Sequence, residues 1–434
     1  MIDVSDGLAF TDAGQEYALK WPKSKKKVVP DPAKAQTLEE AFQWPVKAKT
    51  NLQKLIQELP GHLRPVLLSG RELSVASSFS GICSQSRGAL VLQAHNYGRN
   101  FKHISFCEKR KECQIRLIRD FPCACIFVDQ MNLVSIDVQS QLLKAKGFEE
   151  TIEVLKHASF NSQVIFTEPA DVGFSCIARK RAFQIFVDRT KGRFVANPAE
   201  IYQALCDGLG SRHLTIGHLM DFASSEDLKL ELGLQGKSMD SYPGNLLSSF
   251  ETKNKDEYER ILSNKYSDGI PADQVYCLGQ NPLKVPKLSN GGVMPAFTKT
   301  DKLLWHHGLK RHVLAIEKFA AHGIGVTADL AKLLGTPVFN VTQMKNPHPV
   351  AGNGQHAAVA ALVLASALLS IELFEELPEP TKPLASPSSN DDRKQAGTCF
   401  AYSPKVPSPK SATSHIYIVY LFIYACDCVG YIYI

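Results

Sequence analysis

The stretch RDFPCACIFVDQ, residues 119–130, holds two cysteines, Cys123 and Cys125, directly after a proline. A thiol in this setting could serve as a nucleophile, as a metal ligand, or as a small apolar side chain of a strand. A zinc site is disfavoured because the two cysteines are closer in sequence than zinc ligands usually are, and no histidine follows at ligand spacing. The choice between nucleophile and strand depends on the elements that surround the pair.

The pattern predicts three strands that each end at a residue able to contact a nucleoside. The first leads into a glycine-containing loop, the second ends at Glu108, and the third ends at Asp129. Ligands of doubly wound sheets bind at the carboxyl ends of the strands, where these acids could accept hydrogen bonds from a ribose and from an adenine amino group. The chain has no G-x-G-x-x-G, which disfavours a nicotinamide cofactor. The loop residues are Phe79, Ser80, Gly81 and Ile82.

Strands and helices alternate along the chain from residue 67. LSVASSF, HISFCE and ACIFVDQ have the composition of strands, and RGALVLQAHN and KRKECQIRLIRD between them have a helical pattern. Two further strands are predicted over SQVIFTE and RAFQIFVD. The alternation predicts an α/β fold with a parallel, doubly wound, Rossmann-like sheet.

Composition divides the chain into five regions. Residues 1–66 form a polar N-terminal extension, 67–190 and 276–377 form two parts of the sheet domain, and 191–275 form a smaller, irregular region between them. Residues 378–434 are a Pro/Ser-rich tail, predicted to be disordered, whose Ile/Tyr-rich end has no core to join. The apolar segment from Ala357 is predicted to be a buried helix because it is short for a membrane span.

Bulk composition is that of a soluble globular protein. The 434 residues carry a net charge of +6, which permits contact with a polyanion without demanding it. The eleven cysteines are irregularly spaced and the first residues are neither basic nor apolar enough for a targeting peptide. We therefore expect free thiols and an intracellular location, nuclear or associated with a nucleoid.

Several segments, taken in order, resemble the motifs of the DNA (cytosine-5) methyltransferases. ASSFSGI resembles their first motif, and FCEKRKECQIRLIRDFPCACIFVDQ is similar to the second and third. ADVGFSCIARKRAFQIFV resembles a later motif in which an arginine pair precedes a strand. GNGQHAAVAALVLASALL resembles the last motif, a Gly-Asn turn followed by a helix. The likeness extends from about residue 67 to residue 371.

The resemblance implies that S-adenosyl-L-methionine is the cofactor. By position, Phe79 and Gly81 would line the cofactor loop, Glu108 would hold the ribose hydroxyls, and Asp129 would face the adenine. Asn353 would close the pocket from the C-terminal side.

The resemblance also implies DNA as the partner. In the family reaction a cysteine thiolate attacks a cytosine flipped out of the duplex, and carbon 5 then takes the methyl group. Arg179 and Arg181 would be the arginine pair that holds the flipped base and its phosphate.

The nucleophile itself is not found where the family has it. The family's Pro-Cys loop follows the fourth strand, whereas Cys123 lies six residues before Asp129 and is predicted to enter the third strand. No Pro-Cys occurs between Asp129 and Ala170, Glu168 lacks the expected Asn-Val after it, and Cys176 is a remote alternative thiol. We expect a methyltransferase sheet that is truncated in its middle.

Three hypotheses follow from this pattern. The chain could be a cytosine-5 methyltransferase or a degenerate homologue of one. It could be a catalytically inactive protein that binds DNA or another partner. It could also be an incomplete or alternatively spliced form of an active enzyme. The histidine-rich segment WHHGLKRH has no acid or cysteine at metal spacing, so it is predicted to be a basic surface patch, and no metal is expected.

Overall fold

The structure is a computed structural model of the 434-residue chain. The residues that it describes are 7–10, 16–19, 40, 42–61, 63, 65–68, 73–78, 84–97, 101–107, 119–120, 125–127, 160–174, 176–189, 192–211, 214–234, 236, 238, 247–284, 286–297, 303–344, 347–374, 419–425 and 428–433.

The described strands are numbered in chain order. They are β1 (Gly7–Phe10), β2 (Glu16–Leu19), β3 (Leu73–Ser78), β4 (Phe101–Cys107), β5 (Cys125–Phe127), β6 (Phe160–Thr167), β7 (Arg181–Asp188), β8 (Gly192–Phe194), β9 (Val275–Cys277), β10 (Leu304–His306), β11 (Arg311–His312), β12 (Ile371–Leu373), β13 (Val419–Ala425) and β14 (Cys428–Tyr433).

The described α-helices are numbered in the same way. They are α1 (Trp44–Glu58), α2 (Ser84–Ala94), α3 (Pro198–Leu205), α4 (Ile216–Met220), α5 (Ser225–Leu234), α6 (Ser249–Lys265), α7 (Ala315–Ala321), α8 (Ala328–Leu334), α9 (Pro347–Asn353) and α10 (Ala357–Ser370).

The largest sheet has seven strands in the order β5-β4-β3-β14-β13-β7-β6. β3, β4 and β5 are parallel neighbours, and α2 connects the first two, as the alternating pattern predicted. β6 and β7 form an antiparallel hairpin over the two later strands that the sequence predicted. The fold is therefore α/β, with one half of its main sheet parallel and the other half antiparallel.

The end of the tail differs from its prediction. β13 and β14 pair with each other, β13 pairs with β7, and β14 pairs with β3, all antiparallel. The sequence did not predict this strand pairing of residues 419–425 and 428–433. The segment's β-branched and aromatic residues are the types that strands favour, and composition alone did not reveal that two strand edges elsewhere in the chain could receive them.

Helix α10 is the centre of the hydrophobic core, and all its residues are buried. The stretch Pro347–Ser370 is apolar and long enough to cross a membrane by length and composition alone, but 94% of its most apolar window lies inside the protein. It packs against α2 and α3. Gly88 allows the approach to α2, because a Cβ there would lie 2.9 Å from the Ala361 backbone. The predicted buried helix is confirmed.

A second, smaller core lies around α6 and the sheet of β9, β10 and β11. Tyr258 and Leu262 of α6 pack against Tyr276, Leu278 and Trp305. The stacked rings of Tyr258 and Tyr276 have centroids 5.0 Å apart. Residues 249–265, which the sequence placed in an irregular region, therefore form a regular helix with its own packing. The boundaries of the five predicted regions stay a prediction.

Candidate functional site

The carboxyl ends of the parallel strands lie level with one another. Ser78, the last residue of β3, pairs with Cys107, the last residue of β4, and Cys107 pairs with Phe127, the last residue of β5. The predicted cofactor residues 79–82, Glu108 and Asp129 follow these ends within four residues along the chain, and they lie outside the described residues. The chain therefore leaves all three strands at the same edge of the sheet, and the predicted cofactor residues follow there in sequence.

The same edge continues across the antiparallel half of the sheet. One row of paired residues runs through Phe127, Cys107, Ser78, Tyr431, Phe422, Gln184 and Val164. Thr167 and Arg181 pair with each other three residues beyond this row, and the Thr167 hydroxyl donates to the Arg181 carbonyl over 3.2 Å. Arg181 therefore begins β7 at the edge where the three parallel strands end.

Arg179 is buried and holds two loops together. Its side chain is only 3% exposed, and its guanidinium donates to the Phe297 carbonyl over 3.2 Å and to the Gly352 carbonyl over 3.1 Å. A buried guanidinium is tolerated because such charge-assisted hydrogen bonds replace those that water would make. Arg179 thereby fixes the turn that contains the predicted cofactor residue Asn353, the last residue of α9.

Arg181 has a different environment. Its side chain is half-buried, and it donates to the Lys180 carbonyl over 2.7 Å. Of the two predicted base-holding arginines, Arg181 is thus the more exposed to solvent, whereas Arg179 is buried. The sequence predicted one role for the pair, and the structure gives the two side chains different neighbours.

Two buried histidines lie beside Arg179, and sequence reasoning missed both. His322 Nε2 lies 2.8 Å from the Ala351 carbonyl, so this nitrogen carries the proton and Nδ1 is an acceptor. His356 Nδ1 accepts from the Val359 N–H at the start of α10, so its Nε2 carries the proton. The signal for His356 was its position directly before an apolar helix, where a capping residue stands.

Burial keeps both rings neutral. Burial lowers the pKa of His356 to about 3, and the positive charge of Arg179 adds to the effect. The pKa of His322 is lowered well below its ordinary value by burial, by Arg179 and by His356. His322 Nδ1 and His356 Nε2 have no hydrogen-bond partner among the described residues. The turn around Gly352 is therefore held by the buried Arg179 cation and by the neutral ring of His322.

A hydrogen-bonded chain of buried side chains positions α9 from the other side. The Lys318 ammonium lies 2.9 Å from His348 Nδ1, and His348 Nε2 lies 2.6 Å from the Glu231 carboxylate, which also accepts from the Ala315 N–H over 2.8 Å. Burial raises the pKa of Glu231, but the hydrogen bond and charge of His348 outweigh this and the net shift is downward. Helices α5, α7 and α9 are tied together at this point.

Glu168 and Asp171 follow β6 at the same edge. Glu168 stands before a short 3-10 helix, Pro169–Val172, and its N–H donates to the Asp171 carboxylate over 2.8 Å. Asp171 also accepts from the Tyr202 hydroxyl over 3.1 Å, and burial raises its pKa to about 6. Glu168, the candidate for the family's glutamate, thus lies at the start of this short helix, and Asp171 provides the carboxylate that accepts from its N–H.

Each cysteine whose side chain is described is buried. Cys176, the remote alternative thiol, is fully buried, and burial raises the pKa of its thiol to about 12. Burial also raises the pKa of Cys206, and Cys277 is buried in β9. A thiol with so high a pKa is not an effective nucleophile at neutral pH because the thiolate is the reactive form. Cys125 lies in β5, and Cys123 lies outside the described residues.

The histidine-rich segment does not form the predicted basic patch. His306 and His312 are each 5% exposed and lie in β10 and β11. Burial lowers the pKa of His306 to about 4, with the charge of Arg311 as the next cause, so this ring is neutral at pH 7. The sequence pattern missed this because both residues lie in short strands over the second core. Within the described ranges, no group of three or more His, Cys, Asp or Glu residues could hold a metal ion.

Comparison with known proteins gives only structural neighbours. No protein-family model and no curated protein matches the chain. Similar solved structures include a DNA modification methyltransferase encoded within an E. coli prophage and the Dnmt2 methyltransferase of S. pombe, each 12% identical with a TM-score of 0.40.

Another neighbour is the Entamoeba histolytica methyltransferase EhMeth, 14% identical with a TM-score of 0.34. Each alignment covers 68% of this chain and 98% of the solved one.

Proposed function

We propose that the chain is a degenerate homologue of the DNA cytosine-5 methyltransferases. In this proposal it binds S-adenosylmethionine at the carboxyl edge of β3, β4 and β5, contacts DNA, and does not attack cytosine. The observation that carries the proposal is that these three strands end side by side. Their last residues, Ser78, Cys107 and Phe127, are paired and stand directly before the predicted cofactor residues.

The turn around Asn353 supports the cofactor half of the proposal. Arg179 and His322 bind the carbonyls of Gly352 and Ala351, so the backbone beside Asn353 is held rigidly without any ligand. Preorganisation of this kind lowers the entropic cost of binding. When bound, S-adenosylmethionine would supply an electrophilic methyl group, and the residues of this chain would hold and orient it.

The buried thiols of Cys176, Cys206 and Cys277 support the absence of covalent catalysis by the cysteines that the structure describes. Cys176, the alternative thiol nearest the arginine pair in sequence, is fully buried with a raised pKa. Loss of a nucleophile commonly lowers a rate by several orders of magnitude, so a chain without a reactive thiolate would not be expected to turn over. Arg181 could still contact a nucleic-acid phosphate from the edge of the sheet.

Titration calorimetry with S-adenosylmethionine tests the cofactor site. We expect the wild-type chain to bind, and Glu108→Ala to weaken binding by about tenfold or more, because a carboxylate that accepts hydrogen bonds from a ligand contributes on the order of 1.5–3 kcal/mol. Glu58→Ala, at the exposed end of α1, is the matched control and should bind like wild type. An absence of binding heat in the wild type would overturn the cofactor proposal.

A covalent trap tests the catalytic half. The protein is incubated with S-adenosylmethionine and a duplex that contains 5-fluorocytosine, and adducts are sought by denaturing electrophoresis. We expect none. An adduct that disappears in Cys123→Ser would identify that cysteine as the nucleophile and favour the active-enzyme hypothesis. Binding of the duplex without an adduct, measured by fluorescence anisotropy, would support the hypothesis of a catalytically inactive protein that binds DNA.

A further inference from the structure

Among the strands that the structure describes, those of the tail cover two strand edges in the middle of the main sheet. β13 pairs with β7 over six residues, from Val419↔Val187 to Tyr424↔Ala182, and β14 pairs with β3 over three residues, from Tyr431↔Ser78 to Tyr433↔Ala76. β3 and β7 are not paired with each other in the described sheet. They border a slot two strands wide, which is roughly 14 Å between β3 and β7 at the usual spacing of strands.

This slot has a known place in a doubly wound sheet. There the third, second and first strands lie side by side, and the fourth strand follows next to the first and parallel to it. β5, β4 and β3 occupy the first three places in this order. The neighbour of β3 here is β14, which comes from the end of the chain and runs antiparallel to it. The resemblance to the methyltransferases places the nucleophile loop after that fourth strand.

The composition of the hairpin suits a central position. Its strands read VYLFIYA and CVGYIY, with β-branched and aromatic residues and no charged side chain. Strands covered on both faces have near-continuous apolar sequences of this kind, whereas exposed edge strands commonly carry charges. A segment that looked like an isolated apolar tail in the sequence therefore has the features of an inner strand pair.

We propose that the slot between β3 and β7 is a strand-acceptor site that residues 419–433 fill within the same chain. Because one edge can pair with only one strand, the hairpin and a family-type fourth strand exclude each other from the side of β3. While the hairpin is in the slot, the strand that leads into the nucleophile loop in the family could therefore not lie beside β3. The proposal concerns strand pairing, and its tests do not depend on cofactor binding or on activity.

Hydrogen exchange of the full-length chain tests the pairing directly. If the hairpin is in place, the backbone amides of β3 and β7 are protected by neighbours on both sides. We expect protection of at least about 100-fold in peptides that span residues 73–78 and 181–188, as in the inner strands of a stable sheet. Ile423→Pro, which puts a proline in the middle of β13, should disrupt the hairpin and remove the protection of those amides in β3 and β7 that face it, while the amides paired with β4 and β6 stay protected.

Ser388→Pro is the matched control, since it makes the same kind of change outside the two strands and should leave the exchange pattern unchanged. Wild-type protection of the hairpin-facing amides of β3 and β7 that persists in Ile423→Pro would overturn the proposal. Rapid exchange of the hairpin-facing amides of both strands in the wild type would also overturn it, because it would mean that the two edges are open.

A truncated chain tests whether the site can accept a separate hairpin. We expect a protein that ends at Phe374 to melt several degrees lower than the full chain. A peptide of residues 415–434, present during refolding, should restore the melting temperature, whereas a peptide of the same composition in scrambled order should not. An unchanged melting temperature on truncation, or equal rescue by both peptides, would contradict a specific strand-acceptor site.

Discussion

At the scale of single residues, Arg179 shows how a motif residue can have a structural role. The sequence predicted that it holds a base and phosphate, and the structure surrounds it with the carbonyls of Phe297 and Gly352. A guanidinium with these two partners links three separate segments of the chain. Its removal affects the position of the turn at Asn353 before it affects any ligand.

We therefore expect Arg179→Ala to lower the free energy of unfolding by about 3 kcal/mol, since two charge-assisted hydrogen bonds are lost and two buried carbonyls are left without a donor. Urea denaturation measures the change. Arg181→Ala is the matched control, and because its side chain is half-buried at the sheet edge it should cost less than about 1 kcal/mol. Equal losses in the two variants would argue against the clamp.

The residues that could be predicted and those that could not differ for a physical reason. Strand ends at Ser78 and Cys107 were predictable because alternation of strand and helix is a local pattern. The environment of Arg179 depends on contacts between segments more than 100 residues apart, such as that with Gly352, and so does the effect of its charge on His322 and His356. Local patterns carry no signal for such contacts. The predicted residues 79–82, Glu108 and Asp129 stay predictions.

At the scale of elements, helix-to-helix distance decides which glycines are required. α2 and α10 approach so closely at Gly88 that a Cβ would lie 2.9 Å from the Cα and N atoms of Ala361. Gly233 in α5 has no atom within 4 Å of the same position. The two helical glycines therefore have opposite expected responses to the same substitution.

Gly88→Ala is expected to destabilise the protein by about 1–3 kcal/mol, because the helices must move apart against a packed core. Gly233→Ala is expected to stabilise it by up to about 1 kcal/mol through helix propensity alone. Chemical denaturation of both variants gives the comparison. If both substitutions shift stability in the same direction, the close contact of α2 and α10 is not the controlling factor.

Helix α6 shows why composition misjudged an element. The region 191–275 is charged and weakly periodic, and it was predicted to be irregular. Ser248 and Glu251 nevertheless form a capping box, in which the Ser248 N–H donates to the Glu251 carboxylate over 2.7 Å. Tyr258 and Leu262 then provide a narrow buried stripe on a polar helix. A capping signal of this type is visible in sequence and outweighs weak hydrophobic periodicity.

At the scale of the whole molecule, buried neutral histidines couple stability to pH. The folded pKa values of His306, His322 and His356 all lie below the ordinary value of a histidine. The unfolded chain therefore binds protons below about pH 6.5 that the folded chain does not, so their contribution to stability is present above that pH and is lost as the pH falls.

From pH 7.5 to pH 5 we expect each such ring to cost about 2 kcal/mol of stability, since one pKa unit corresponds to about 1.4 kcal/mol. Urea denaturation across this range measures the slope. His356→Asn, which keeps an acceptor at the start of α10 and removes the titrating ring, should have a shallower slope than wild type. Above about pH 7.5 the difference in unfolding free energy between the two proteins should not change with pH, because the histidine is neutral in both the folded and the unfolded state. An unchanged slope in the variant would contradict a buried neutral His356.

The pairing of β3 with β14 joins residues near opposite ends of the chain, from Ser78 to Tyr431. During synthesis at about 5–20 residues per second, β3 is complete tens of seconds before its partner is made. Over that interval its edge is an unpaired strand in a growing chain, and contacts so distant in sequence also form slowly. Residues 428–433 thus leave the ribosome long after β3 and close the middle of the sheet, so the yield of folded protein depends on whether β3 avoids aggregation during that interval.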